Sequence, residues 1–360
     1  MWPDNRILEL FGIEHPLVLA PMAGFATVEL AAAVSNAGGL GSIGCATMTP
    51  ELVTRSVAEL RRLTNRPIGV NFFCHDPATA DAAGEGAWHD RLSRYYGELG
   101  IDPETRPPRL DLAPFGEAVC TAVENERPEV VSFHFGLPAP ALVARIKAAG
   151  CKVISSATTV EEACWLEEHG VDAIIAQGAE AGGHRGMFLD AVSNCAVASQ
   201  AGTLALVPQV CDAVDVPVIA AGGIADGRGI AAALALGACG AQIGTAFLLC
   251  PEAATPPLHR AALRDARART VVTNVFTGRP ARALVNRLAA EIGPWADAAP
   301  DFPLPMGELS PLRAAAERKG SSDFTPLWSG QAAPLAREMP AAMLIEVLVR
   351  EAAERMRGRS

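Results

Sequence analysis

Aromatic residues are scarce in this chain. They make up 5% of its 360 residues, and only two are tyrosines, Tyr95 and Tyr96. Beside plentiful alanine and glycine, that scarcity disfavours an aromatic-rich β-sandwich and suits tightly packed α/β layers. Positive charge is short as well. The net charge is −10 and the pI near 5.3, which excludes a general nucleic-acid binder with a basic face. The nine cysteines are odd in number and scattered, with no CxxC pair, so neither a zinc knuckle nor a disulfide framework is expected. They read as reduced core residues of a cytoplasmic protein. No basic start followed by an apolar run marks a signal peptide. The longest apolar stretch, 231–250, is interrupted by Gly237, Gly240, Gln242 and Gly244, so no membrane span is expected. The seven histidines are dispersed without an H-E-x-x-H or a paired Cys/His spacing, and no metal site is predicted. A G-x-S-x-G nucleophile elbow is also missing.

What the chain does have is alternation. Half of its residues are hydrophobic, enough for one large core. Short apolar runs at 17–22, 40–44, 67–73, 130–136, 152–156, 173–177, 216–221 and 240–247 read as strands. Helical segments follow many of them, at 28–37, 50–63, 139–149, 160–169 and 226–236. Near-continuous apolar strands imply a parallel sheet covered on both faces. Eight such units over residues 1–250 predict a (β/α)8 TIM barrel. A doubly wound sheet is disfavoured because the first βα turn lacks G-x-G-x-x-G. Residues 75–112, with both tyrosines, read as an insertion covering the barrel mouth. Residues 251–340 read as a small, mainly helical, substrate-side subdomain with helices at 257–269, 281–292 and 308–319. Residues 341–360 are expected to supply a C-terminal helix that packs on the barrel.

In such a barrel the site lies at the C-terminal ends of the strands, and polar residues and glycines collect there. Met22 and Ala23 end the first strand, Asn71 lies late in the third and His134 late in the fourth. Gln177 ends the sixth, and a loop with Gly182, His184 and Arg185 follows. Gly222-Gly223 ends the seventh strand, and Gln242, Gly244 and Thr245 lie in the eighth. Gly222-Gly223 with the 242–245 segment reads as a phosphate cradle, where backbone N–H groups and a helix N-terminus meet an anion. The alternative is a simple tight turn. Asn71 and Gln177 are strand-end amides that need partners, since an unpaired buried polar group costs about 1–3 kcal/mol. A flavin edge or nearby backbone would each serve. If Phe133 and Phe135 point outward, His134 points into the barrel with Ser132. It is then either a satisfied core residue or part of the site. No periodicity asks for His184 between its glycines, and imidazole suits proton abstraction or an anion contact. Arg185 reads as structural, paired with Glu180 or solvated.

These residues resemble a known family. The segments Leu19-Ala-Pro-Met-Ala-Gly24, Gly69-Val-Asn-Phe72, Ser132-Phe-His-Phe-Gly136, Gln177-Gly-Ala-Glu-Ala-Gly-Gly-His-Arg-Gly186 and Ala221-Gly-Gly-Ile224 are similar to those of class I nitronate monooxygenases. A fainter echo runs over 324–331. The resemblance implies non-covalent FMN, with its phosphate on Gly223 and the 242–245 segment, and Asn71, Gln177 and Gly182 at other flavin-binding positions. It makes His184 the catalytic histidine and His134 a second active-site histidine. It implies oxidation of alkyl nitronates, and of nitroalkanes after proton removal, by O2 to a carbonyl compound and nitrite. Small-molecule substrate and O2 are the expected partners, with a homodimer left open. One departure stands out. Where the family carries a Tyr-x-x-x-Tyr-Asp-x-x-Lys-like motif, this chain has Phe302-Pro-Leu-Pro-Met-Gly-Glu-Leu-Ser310. The alternative reading is an NAD(P)H-dependent FMN reductase acting on a quinone or an enoyl thioester.

Overall fold

A computed structural model describes residues 2–79, 81–110, 112–190, 192–265 and 269–357. The barrel strands are β1 (Leu17–Leu19), β2 (Gly41–Gly44), β3 (Ile68–Phe73), β4 (Val130–His134), β5 (Lys152–Ala157), β6 (Ala173–Gln177), β8 (Val218–Ala221) and β9 (Gly240–Ile243). All pairings among them are parallel, in the order β1-β9-β8-β6-β5-β4-β3-β2. A parallel bridge between Val18 and Leu40 brings β1 back to the start of β2, so the sheet curls into a TIM barrel. The remaining strands, β7 (Gly183–His184), β10 (Thr270–Thr273) and β11 (Ala281–Leu284), form a separate antiparallel sheet in the order β10-β11-β7.

The helices form where the sequence supplies caps and apolar stripes. Thr27, Thr49, Thr159 and Asp226 each accept a backbone N–H in the first turn of the helix that follows. The expected C-terminal helix is Ala341–Met356, which packs on Gly227–Ala235 and Val28–Asn36 and fills the ring between the last and first barrel units. Among the described residues no helix is long and apolar enough to cross a membrane.

Several sequence expectations change. The first strand stops at Leu19, ahead of Pro21, which has no N–H for the ladder. Met22 and Ala23 therefore lie in a turn, with the N–H groups of Phe25 and Ala26 donating to the Met22 carbonyl. The eighth barrel strand stops at Ile243, where Gly244 turns the chain into a short 3-10 turn over Thr245–Phe247. The helix Thr203–Ala213, which buries Leu206, Val207 and Val210, is not legible as one because Pro208 sits inside it. The expected helix at 281–292 is instead β11 followed by the short helix Arg287–Glu291. The helix predicted at 257–269 is described over Pro257–Arg264, and residues 266–268 of that range lie outside the described residues. So do residues 80 and 111 of the insertion and 358–360 of the C-terminal segment.

The insertion and the post-barrel segment share a second core. Trp88, Leu92, Tyr95 and Tyr96 form one face of the helix Ala82–Leu99. They pack with Val275, Phe276, Leu309, Leu312, Ala316 and Phe324. Each such large side chain contributes roughly 1.5–3 kcal/mol by burial. This second core holds the helix Pro305–Arg318 beside the barrel mouth, where Phe302 and Met306 wall a cavity.

Candidate active site

The cavity has a volume of about 470 Å³ and lies at the C-terminal ends of the barrel strands. Every candidate residue lines it: Met22, Ala23, Asn71, His134, Gln177, Gly182, His184, Gly222, Gly223, Gln242, Gly244 and Thr245. The described lining residues include no carboxylate, and Arg313 is the one formal charge among them.

Beyond β6 the chain is held by buried charge. Arg185, 1% exposed, donates to the carbonyls of Gln177 (2.6 Å) and Gly178 (2.7 Å) and to Gln200 Oε1 (2.5 Å). It is structural, as expected, but neither solvated nor bonded to Glu180, because the loop folds back over it. Burial pushes its guanidinium down to about 9. Glu180 instead accepts from the N–H (2.8 Å) and hydroxyl (2.8 Å) of Thr203. The buried Glu162 accepts from the N–H groups of Thr158 (2.6 Å) and Phe188 (2.6 Å). The result is a rigid loop that pairs as β7 with β11, His184 opposite Ala281.

Both amides use nearby backbone. Gln177 Nε2 donates to His184 O (3.0 Å), and its Oε1 accepts from Gly186 N (2.8 Å). Asn71 Nδ2 donates to Ser132 O (3.2 Å) and Oγ (2.7 Å). Gly222 and Gly223 take φ of +118° and +70°, values that side chains disfavour, and a Cβ on Gly222 would meet Thr203 Oγ1 at 2.8 Å. At Gly182 a Cβ would meet Gly330 N at 2.5 Å. Gly330 N donates to Thr245 Oγ1 (2.9 Å), leaving the Thr245 hydroxyl proton for another acceptor. Ser329 and Gly330 are thus part of the wall, a role for which the 324–331 echo was the only sequence signal.

The two histidines have defined proton positions. His134 Nε2 lies 3.0 Å from His184 O, which only accepts, so this nitrogen carries the hydrogen. Its Nδ1 then accepts from Ser156 Oγ (3.1 Å). Both ring nitrogens of His134 are therefore engaged, Nε2 on the His184 backbone and Nδ1 on the Ser156 hydroxyl. His184 Nε2 meets Thr277 Oγ1 at 3.0 Å, and Thr277 donates to Arg279 O at 3.2 Å. Thr277 must then accept from His184 Nε2–H, which leaves His184 Nδ1 as the ring's proton acceptor. Aromatic rings enclose His184: Trp328 at 5.3 Å, Phe302 at 5.5 Å, and Phe73 and Phe135 at 5.9 Å between centroids. That burial, with lesser repulsion from His134, Arg279 and His75, pushes His184 down to about 3. Burial likewise pushes His134 down to about 4.

Phe135 corrects the strand reading. β4 ends at His134, and Phe135 takes a left-handed φ of +68°, costing on the order of 1–3 kcal/mol. Its ring therefore turns back to His134 (4.7 Å) and Phe302 (5.8 Å) and away from the helices, with the Arg279 guanidinium 4.2 Å over it. Phe133 faces the helix layer as expected and packs with Phe115. Thr277, Arg279 and Arg313 carry no sequence signal, because nothing in their local pattern ties them to strand ends, and Trp328 has only the 324–331 echo.

A sequence model described as nitronate monooxygenase matches residues 4–351. A nitronate monooxygenase of Pseudomonas aeruginosa PAO1 is 45% identical over 350 residues, covering 96% of this chain and 99% of that protein. One from Paraburkholderia phytofirmans PsJN is 44% identical, covering 96% and 94%. Among solved structures, a nitroalkane oxidase from Streptomyces ansochromogenes has a TM-score of 0.88 at 41% identity, covering 97% of this chain and 98% of that one. FabK from Thermotoga maritima has a TM-score of 0.71 at 31% identity, covering 98% and 97%.

Proposed function

The chain belongs to the nitronate monooxygenase family of enzymes, and on that premise we propose that it oxidises alkyl nitronates with FMN and O2, giving a carbonyl compound and nitrite. The observation that carries this reading is His184: a neutral imidazole with its Nδ1 unprotonated, enclosed by four aromatic rings on the wall of a glycine-rich cavity.

The cavity fits FMN. Gly222 and Gly223 line the cavity with bare backbone at positive φ, and no carboxylate among the described lining residues opposes a phosphate. Gly223 and the 242–245 segment would hold the phosphate through backbone N–H groups, with the Thr245 hydroxyl proton available. Asn71, Gln177 and Gly182 would border the ring. Bound there, FMN would supply the electron acceptor for the nitronate.

His184 Nδ1 takes the α-proton when the substrate is a neutral nitroalkane. A preformed nitronate needs no base. Because burial makes His184 a weak base, the site favours the preformed anion over the parent nitroalkane. His134 orients His184 through its carbonyl. The aromatic enclosure excludes water. Phe302 and Met306 stand where the family's tyrosines are expected, and they give the 251–340 segment an apolar substrate-side wall suited to bulkier donors.

Oxygen consumption with ethylnitronate and propionate 3-nitronate tests this. The expected result is turnover of both by a yellow protein with flavin absorption bands. Rapid bleaching by NADH without turnover of either nitronate would replace this reading with the reductase one.

A further inference from the structure

The joint between the insertion helix and the cavity wall holds more polar groups than its packing requires. His89, on the helix Ala82–Leu99, is 2% exposed. Its Nε2 lies 2.7 Å from the Pro103 carbonyl, and its Nδ1 lies 2.7 Å from Glu308 Oε2, on the helix Pro305–Arg318. Tyr96 donates to the Glu308 carbonyl at 2.6 Å, and its hydroxyl is 3.5 Å from Oε2.

Counting protons decides what these contacts mean. The Pro103 carbonyl can only accept, so His89 Nε2 carries a hydrogen. A neutral imidazole then has a bare lone pair at Nδ1, facing a carboxylate oxygen at 2.7 Å. Two acceptors do not sit at that distance unless a proton lies between them. The proton is on Nδ1, making an imidazolium–carboxylate pair, or on Oε2, making a neutral pair. Either way the joint binds one proton more than a neutral histidine and a free carboxylate would.

The joint is also close to the substrate wall. Glu308 is two residues beyond Met306 and six beyond Phe302, both of which line the cavity. The Phe302 ring lies 5.5 Å from His184 and 4.8 Å from His75. We propose that His89, Glu308 and Tyr96 form a one-proton joint that positions the Phe302–Met306 wall, and that loss of this proton as pH rises weakens substrate binding while the chemical step is unchanged. The positioning part rests on the function proposed above.

The charged and titratable groups around Glu308 are few. Glu85 disfavours its carboxylate, as does burial, which is the larger effect and raises the carboxyl above its ordinary value. Arg106 and the Tyr96 hydroxyl favour the carboxylate. A group raised on folding contributes stability at low pH and loses that contribution as pH rises through the raised value. Release of the joint's proton therefore loosens the wall on the alkaline side.

Glu308→Gln separates a proton-holding joint from an ordinary polar contact. The amide donates to His89 Nδ1, so the same bonds form with no extra proton. Tm and the KM for ethylnitronate are measured from about pH 5 to about pH 9 for the wild-type holoenzyme and E308Q. In wild type the Tm is expected to fall relative to E308Q as pH rises, and KM to rise about tenfold, as for loss of a charge-assisted hydrogen bond. In E308Q, KM stays within about twofold and kcat matches wild type at each pH. An E308Q protein that fails to fold, or whose Tm and KM curves follow those of wild type, overturns the proposal. Should the wild type oxidise no nitronate, the function reading fails by itself, and the Tm comparison still decides whether the joint holds a proton.

Discussion

The loop after β6 and the wall at 302–313 face the same cavity, but they are held in different ways. The loop is fixed by two buried ionic groups, Arg185 on two carbonyls and Gln200 and Glu162 on backbone N–H groups, and by the half-buried Glu180 on Thr203. Each bond is directional, so the loop has one geometry and His184 has one place. The wall is held by a second apolar core and by one polar joint. Its lining residues, Phe302, Met306 and Arg313, bring shape and one charge but no proton chemistry. The chemistry thus sits on the part that cannot shift, and selectivity on the part that tolerates substitution.

Substitutions should break this contrast in a graded way. The largest effect is expected from His184→Asn, with nitroalkane turnover falling about 10²–10⁴-fold, the usual span for a lost general base. Oxidation of preformed nitronate should stay within about threefold of wild type. Parallel rates on the two substrates would show whether they separate; equal loss on both would remove the base role. Next is Arg185→Leu, which strands the carbonyls of Gln177 and Gly178. Urea unfolding should register a loss of about 3 kcal/mol or more. On the wall side, Phe302→Leu should raise KM about three- to tenfold and leave kcat in place. A kcat that falls with it would mean the wall takes part in the chemistry.

Two smaller effects are electrostatic. Burial lowers His184 to about 3 and His134 to about 4, so in the folded chain both are neutral where an unfolded histidine takes a proton. Stability should therefore decrease as pH falls from about 6.5 toward about 4, which acid titration of the Tm will show. Above that range these residues should add no pH limb to kcat on ethylnitronate. The smallest expected change is in Arg313→Met. That side chain is partly exposed and bonded to Glu317, so removing it should lower kcat/KM for an anionic nitronate about twofold at low salt and less at high salt.

Much of the loop is legible in the residues alone, because glycines and polar groups seldom crowd the end of an apolar strand unless a ligand meets them there. His184, Gln177, Gly222 and Gly223 stand out in this way, and all line the cavity. The wall is less legible. At 281–292 the Ala- and Leu-containing stretch suits a helix by composition, yet Ala281–Leu284 pairs with β10 and β7, a long-range pairing that overrides local propensity. Alternation along β4 misplaces Phe135 because the strand ends one residue before it.

The sequence by itself determined the barrel, the end of it that carries the site, and the family. Apolar runs of strand length, regularly spaced, have few ways to bury both faces. Only the tertiary structure decided which nitrogen of His184 is bare, that Arg185 is buried on carbonyls, and that His89 meets Glu308 across 219 residues of chain. Those facts depend on which donors and acceptors converge from distant segments. Proton positions and pKa values follow from that convergence and from the water it excludes, neither of which local sequence encodes.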